Sequence, residues 1–133
     1  MTLADFIGIP YASHGRELSG LDCWGLVILA AQELYGLKLP DYAGYSDSCD
    51  GNQTALLFES RNLWQSVPLE DAQPGDVLVI KLAGYPVHAG LYLGADKMIH
   101  TLAGCNSCLV RIDNQTSWRR RIEGAYRWMA NSY

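Results

Sequence analysis

The chain has 133 residues, a common size for one domain and large enough to bury a core without disulfides. Hydrophobic residues make up 49% and charged residues 18%, which excludes a disordered chain. The net charge of −4 argues against a nucleic-acid-binding protein, which needs a basic surface. We therefore expect one globular domain over residues 1–133 that binds no nucleic acid.

The start of the sequence lacks the features of a secretory signal. Residues 1–6 contain neither a basic region nor a long apolar run. No segment approaches the ~18 apolar residues of a membrane span. We expect cytoplasmic synthesis without a signal peptide and no membrane insertion. The four cysteines are unevenly spaced, which does not indicate a disulfide framework.

The first half of the chain predicts one long helix. A short helix is predicted at 2–7, followed by a loop rich in glycine at 8–21. From 22 to 35 apolar residues recur at spacings of three and four, which is typical of a buried helix. Gly36 is the expected stop. We therefore expect a central helix early in the chain.

The second half has a different character. Residues 37–51 predict a long loop, and a weak helix is predicted at 54–60. Short β-rich segments follow, separated by turn residues, with a helical turn near 115–120. The predicted strands are 77–80, 87–93, 97–101, 108–112 and 123–128. A helix followed by adjacent strands predicts an α+β fold, with the helix packed on an antiparallel sheet.

Cys23 stands where the polar loop turns into the long helix. Unpaired backbone N–H groups and the helix dipole favour a reactive thiolate at such a position. His88 and His100 downstream could supply a base and an orienting group. Each residue alone has an ordinary structural interpretation, as a small core cysteine or a hydrogen-bonded strand histidine.

The two histidines are 12 residues apart, at 88 and 100. A hairpin with its turn centred near Gly94 would place them directly opposite each other. Cross-strand neighbours have Cβ atoms roughly 4.5–5.5 Å apart, close enough for one imidazole to orient the other.

Four matches in order give the chain a resemblance to a known family. Asp22-Cys23-Trp24-Gly25-Leu26-Val27 resembles a D-C-S-G-L-V nucleophile segment, with tryptophan in place of serine. Residues 74–77 resemble a P-G-D-L motif before a strand, residues 87–93 resemble an H-V-G-I-Y-L strand, and His100 stands at the third polar position. The chain resembles the NlpC-type papain-like cysteine peptidases, which cut bacterial cell-wall peptides, and a papain-like core is the expected fold.

The resemblance implies a role for each matching residue. Cys23 is the expected nucleophile, His88 the general base and His100 the group that orients it. The backbone N–H of Cys23 is the natural oxyanion donor. Tyr11 matches a tyrosine that the family keeps near the nucleophile, and its hydroxyl is a candidate second donor.

Asp22 and Trp24 flank the nucleophile and are assigned, with Tyr11, to oxyanion and substrate binding. The implied substrate is an amide bond in peptidoglycan stem peptides, typically between D-glutamate and diaminopimelate. No cofactor and no metal ion are expected for this chemistry.

The tryptophan variant has neighbours, residues 15–18 and 39–42, that look more like the bacteriophage-tail branch of the family. This implies a virion-tail enzyme that acts on the host cell wall, with other phage-tail proteins as partners. Two alternatives stay open: a structural tail component with little or no catalysis, and an acyltransferase or amidase on the same scaffold.

Cys105 and Cys108 form a C-x-x-C motif with three interpretations. They are ordinary loop cysteines, a regulatory or assembly disulfide, or half of a metal site. A metal or redox module built on this pair is therefore a further hypothesis for the chain.

Overall fold

A computed structural model describes residues 1–41, 63–82, 85–102 and 104–129, without the side chains of 82 and 85–87. Two short 3₁₀ turns, Leu3–Phe6 and Leu69–Asp71, accompany the helices and strands. In chain order these are β1 (Arg16–Glu17), β2 (Gly20–Leu21), α1 (Cys23–Tyr35), β3 (Trp64–Val67), β4 (Val77–Leu82), β5 (Tyr85–Gly94), β6 (Lys97–His100), β7 (Cys108–Arg111), α2 (Ser117–Arg121) and β8 (Ile122–Trp128).

Helix α1 is defined at both ends by its sequence. The side chain of Asp22 caps the start by accepting a hydrogen bond of 2.7 Å from the backbone N–H of Gly25. Gly36 ends the helix in the left-handed region, with φ 68°, and its N–H bonds back to the last turn. The predicted helix over 22–35 and its glycine stop are confirmed.

The main sheet has six antiparallel strands in the order β3-β8-β4-β5-β6-β7. Helix α1 packs on β5 and also contacts β6. Strand β4 shows the alternation of a sheet covered on both faces. Val77 and Val79 join the core shared with α1, whereas Leu78 and Ile80 join a second core on the opposite face.

The predicted α+β fold, with the helix packed on an antiparallel sheet, is confirmed. Three features were not predicted: β3, the 3₁₀ turn Leu69–Asp71, and the two-residue pairing of β1 with β2 inside the predicted loop 8–21. The predicted helix at 54–60 and most of the predicted loop 37–51 lie outside the described residues. Within the described parts of the chain, neither helix has the length and apolar character needed to cross a membrane.

Candidate active site

Cys23 is the first residue of α1 and is only 2% exposed. The residue before it, Asp22, is completely buried and receives three donors. Oδ1 accepts from the Gly25 N–H and from Nη1 of Arg16 at 2.9 Å, and Oδ2 accepts from the His14 N–H at 3.0 Å. The carboxylate therefore ties the preceding loop to the helix start, which fixes the backbone at Cys23.

Arg16 extends this network outward. Its Nη1 also donates to the carbonyl of Gly15, and its Nε and Nη2 donate to Oδ1 of Asp41 at 3.0 and 2.9 Å. The guanidinium of Arg16 thus joins the buried carboxylate of Asp22 to the half-exposed carboxylate of Asp41. The geometry gives Asp22 a structural function; its predicted part in substrate binding stays a prediction.

The backbone of this loop passes unusually close to α1. A Cβ added to Gly25 would lie 2.0 Å from the carbonyl oxygen of Gly15. A Cβ on Gly15 would in turn lie 2.2 Å from the carbonyl oxygen of Gly20. Glycine is therefore required by close packing at the second residue after Cys23.

His88 on β5 and His100 on β6 are in direct contact. Nε2 of His88 lies 3.0 Å from Nδ1 of His100, and the ring centroids are 5.2 Å apart in an edge-on arrangement. The structure therefore brings the two predicted histidines together. Cys23 lies at the start of the helix that packs on both of their strands.

The predicted register of this hairpin was wrong by two residues. Leu91 pairs with Ile99 and Tyr92 with Met98, so the same register continued places residue 90, and not His88, opposite His100. An even shift keeps both histidines on one face of the sheet. The rings meet as diagonal neighbours, which are still within reach of long side chains.

Burial controls the charge of both rings. Desolvation, and after it the nearby His100 ring, lowers the pKa of His88 to about 3. Desolvation likewise lowers the pKa of His100 to about 4. Both imidazoles are therefore neutral near pH 7, so His88 can accept a proton there.

His100 has two further neighbours that the sequence did not assign to the site. Sγ of Cys108 lies 3.6 Å from its Nε2, and the ring of Trp118 packs edge-on with centroids 4.5 Å apart. Of the three interpretations of Cys108, none placed its sulfur against His100 as part of the catalytic site. One signal in the sequence could have indicated this contact. The predicted strand 108–112 directly follows the predicted strand 97–101, which contains His100.

Tyr11 and Trp24 have defined places near the helix start. Tyr11 forms an isolated parallel bridge with Leu21, and its hydroxyl oxygen is buried. The side chain of Trp24 is buried, donates from Nε1 to the carbonyl of Pro40 at 3.0 Å, and packs edge-on against Trp64. These contacts make Trp24 a core residue; oxyanion or substrate binding by Tyr11 and Trp24 stays a prediction.

Cys23, Cys105 and Cys108 are free thiols, and Cys49 lies outside the described residues. Within the described segments, histidine, cysteine, aspartate and glutamate side chains form no group of three suited to a metal ion. Of the C-x-x-C motif, Cys108 lies beside His100.

A helix that starts at a cysteine and packs on an antiparallel sheet carrying a histidine pair is the arrangement of a papain-like fold. The sequence profile of the NlpC/P60 family matches residues 8–127, so the chain belongs to that family. The structure of an NlpC/P60 family protein from Bacillus cereus is similar, with a TM-score of 0.65 and 27% identity, over 93% of this chain and 37% of that one.

Two relatives indicate different biological settings. The chain is 24% identical to the murein DD-endopeptidase MepS/murein LD-carboxypeptidase of Escherichia coli, over 97% of this chain and 61% of that protein. It is 31% identical to the tail tip assembly protein K of Escherichia phage lambda, over 99% of this chain and 68% of that protein. The chain therefore spans less than two thirds of the E. coli relative.

Proposed function

We propose that this protein is a cysteine peptidase that hydrolyses an amide bond in peptidoglycan stem peptides. The observation that carries the proposal is the contact of 3.0 Å between the buried, neutral rings of His88 and His100, on strands that pack against the helix opened by Cys23. A neutral imidazole held in one orientation is what a general base requires.

The proposed reaction uses both nitrogens of His88. Because Nε2 faces His100, Nδ1 is the nitrogen that takes the proton of Cys23 as Sγ attacks the amide carbon. The protonated ring then gives that proton to the leaving amine, and water hydrolyses the resulting thioester. The burial of both rings supports a base that is neutral until attack, not a resting ion pair.

His100 and the helix start have supporting roles in this scheme. His100 accepts from the Nε2–H of His88 and stabilises the imidazolium by its dipole, with no charge of its own. The backbone N–H of Cys23, at the start of α1, stabilises the oxyanion, with the hydroxyl of Tyr11 as a candidate second donor. The contacts of Asp22 support this scheme by fixing the backbone that presents the N–H.

The substrate assignment is supported by the relatives. A murein endopeptidase matches nearly the whole chain, which favours a cell-wall peptide as substrate. We propose the bond between D-glutamate and diaminopimelate as the one cleaved, on the family resemblance and not on this relative, whose name gives DD-endopeptidase and LD-carboxypeptidase activities. The 31% sequence identity to a phage tail tip assembly protein favours a place in the virion tail, with tail proteins as partners and the host wall as target.

Purified sacculi provide the test. The wild-type protein should release peptide fragments whose masses identify the cleaved bond. Cys23→Ala should release none while retaining the wild-type circular dichroism spectrum and melting temperature. Fragment release by a folded Cys23→Ala protein would overturn the proposed mechanism. New amide or ester products without hydrolysis would indicate an acyltransferase.

The similarity to a tail assembly protein also favours a second candidate, a structural tail component. Tail assembly with the Cys23→Ala protein separates the two functions. Normal tails that fail to digest the wall support the peptidase. Defective tails with unchanged wall digestion support the structural function.

A further inference from the structure

Both ring nitrogens of His100 contact another titratable side chain. Nδ1 lies 3.0 Å from Nε2 of His88, and Nε2 lies 3.6 Å from Sγ of Cys108. A neutral imidazole carries one proton, so one nitrogen donates and the other accepts. The interaction at Nε2 therefore determines what Nδ1 can offer to His88.

The proposed reaction sets the direction of each hydrogen bond. His88 can accept the proton of Cys23 only if its Nδ1 is unprotonated, so the proton of the neutral ring lies on Nε2. That Nε2–H must donate to Nδ1 of His100. His100 must then carry its own proton on Nε2, which faces the sulfur of Cys108.

We propose that Cys108 is a positioning residue for this reaction. Its sulfur accepts from the Nε2–H of His100 and so favours the tautomer of His100 whose Nδ1 is free to accept the hydrogen bond from His88. This inference rests on the proposed peptidase function. Two proton transfers pass through His88: the proton of Cys23 goes to the leaving amine, and a proton of the attacking water later returns to the sulfur of Cys23. The proton of His100 stays on Nε2 throughout.

The fold holds Cys108 where this role requires it. Cys108 is the direct strand partner of His100 in the β6–β7 pairing. The preceding residue, Ser107, is buried; its hydroxyl accepts from the Ile9 N–H at 2.8 Å and donates to the carbonyl of Phe6 at 2.6 Å. The start of β7 is thus anchored to the N-terminal segment, which fixes the distance between the sulfur and the imidazole.

The ionisation of Cys108 suits an orienting group. Although Cys108 is an exposed residue, partial desolvation raises the pKa of its thiol, and the neighbouring Cys105 thiol raises it further. The sulfur therefore stays protonated near pH 7 and is a weak acceptor that does not remove a proton from His100. The edge-on ring of Trp118 limits rotation of the imidazole.

The test compares three variants by two measurements. Cys108→Val keeps a similar size and suits a strand but removes the acceptor, Cys108→Ser restores an acceptor, and Cys105→Ser is the matched control in the same motif. Long-range ¹H–¹⁵N correlation spectra of ¹⁵N-histidine-labelled protein identify the tautomer without substrate. Peptide release gives kcat and KM separately.

We expect the Nε2–H tautomer of His100 in the wild type, in Cys108→Ser and in Cys105→Ser. In Cys108→Val we expect mixed tautomers and a fall in kcat of about 3- to 10-fold with unchanged KM, the size of one modest hydrogen bond. A wild-type His100 protonated on Nδ1 would overturn the inference even if the valine variant did not fold. So would an unchanged tautomer and kcat in a folded Cys108→Val protein. Fragment release from the Cys23→Ala protein would show that the proposed peptidase mechanism itself is wrong. That result is separate from the results that would overturn only the role of Cys108.

Discussion

Nε2 of His88 contacts Nδ1 of His100 at 3.0 Å, although the register of their strands does not pair them directly. The two rings meet diagonally across the neighbouring strands. Because burial keeps both rings neutral, this hydrogen bond orients His88 without supplying charge. Orientation should therefore account for most of the contribution of His100.

Substitution of His100 tests this directly. His100→Ala should lower kcat by about 100-fold, the size expected when a reacting group loses its alignment. His100→Asn keeps a short polar side chain and should recover part of that loss. His88→Ala removes the base itself and should cost about 10²- to 10⁴-fold. Equal kcat for His100→Ala and the wild type would contradict an orienting role.

Stability should fall as the pH drops below the ordinary histidine pKa. In the folded protein the pKa values of His88 and His100 are lowered to about 3 and about 4, from 6.5. Between pH 6.5 and 4 the unfolded chain therefore binds more protons, so acid favours unfolding. Each histidine should contribute a slope of up to about 1.4 kcal/mol per pH unit to the free energy of unfolding.

Urea unfolding at pH 7.0, 6.0 and 5.0 measures that slope. The double variant His88→Gln, His100→Asn is the control and should show a flatter dependence, since neither replacement titrates in this range. A wild-type free energy of unfolding that is constant from pH 7.0 to 5.0 would show that the rings are not buried in the neutral state.

Local sequence patterns predicted the elements that depend on local interactions. Helix α1 follows from its apolar spacing, the cap at Asp22 and the stop at Gly36. Strand β3 was missed because Trp64-Gln65-Ser66-Val67 has two polar residues at its centre and pairs with β8, about 60 residues away along the chain. Non-local pairing of this kind leaves little trace in a short segment.

The hairpin register shows the same limit within the site. Ala95 and Asp96 both have positive φ, 53° and 58°, and form the two-residue turn that joins β5 to β6. Next to this turn Gly94 pairs with Lys97. A bulge between Tyr92 and Gly94 then shifts the register, so that Tyr92 pairs with Met98. The sequence indicated a turn near 94 and the correct face, but the bulge could not be read from it. The contact with Cys108 was hidden for the same reason, because it depends on the β6–β7 register.

Asp22 should be one of the most sensitive positions for stability. Its buried carboxylate accepts from Gly25, His14 and Arg16, so Asp22→Ala leaves two backbone N–H groups and a guanidinium without this acceptor. We expect a loss of about 3–5 kcal/mol in the free energy of unfolding. Asp41→Asn, which weakens the half-exposed ion pair of the same arginine, should cost under about 1 kcal/mol. Equal losses for the two variants, measured by urea unfolding, would show that Asp22 is not the centre of the network.

Gly25→Ala should disturb the site through backbone contact alone. The new methyl group would lie 2.0 Å from the carbonyl oxygen of Gly15, so the loop before Cys23 must move away from α1. We expect a lower melting temperature and a fall in kcat, because that movement displaces the backbone that presents the nucleophile.

Gly36→Ala is the matched control at the other end of the helix. Its Cβ would meet no atom within 4 Å but would adopt a positive φ, so it should cost about 1 kcal/mol and leave kcat unchanged in the folded fraction. If Gly25→Ala behaved like Gly36→Ala in both measurements, the loop would not control the position of Cys23.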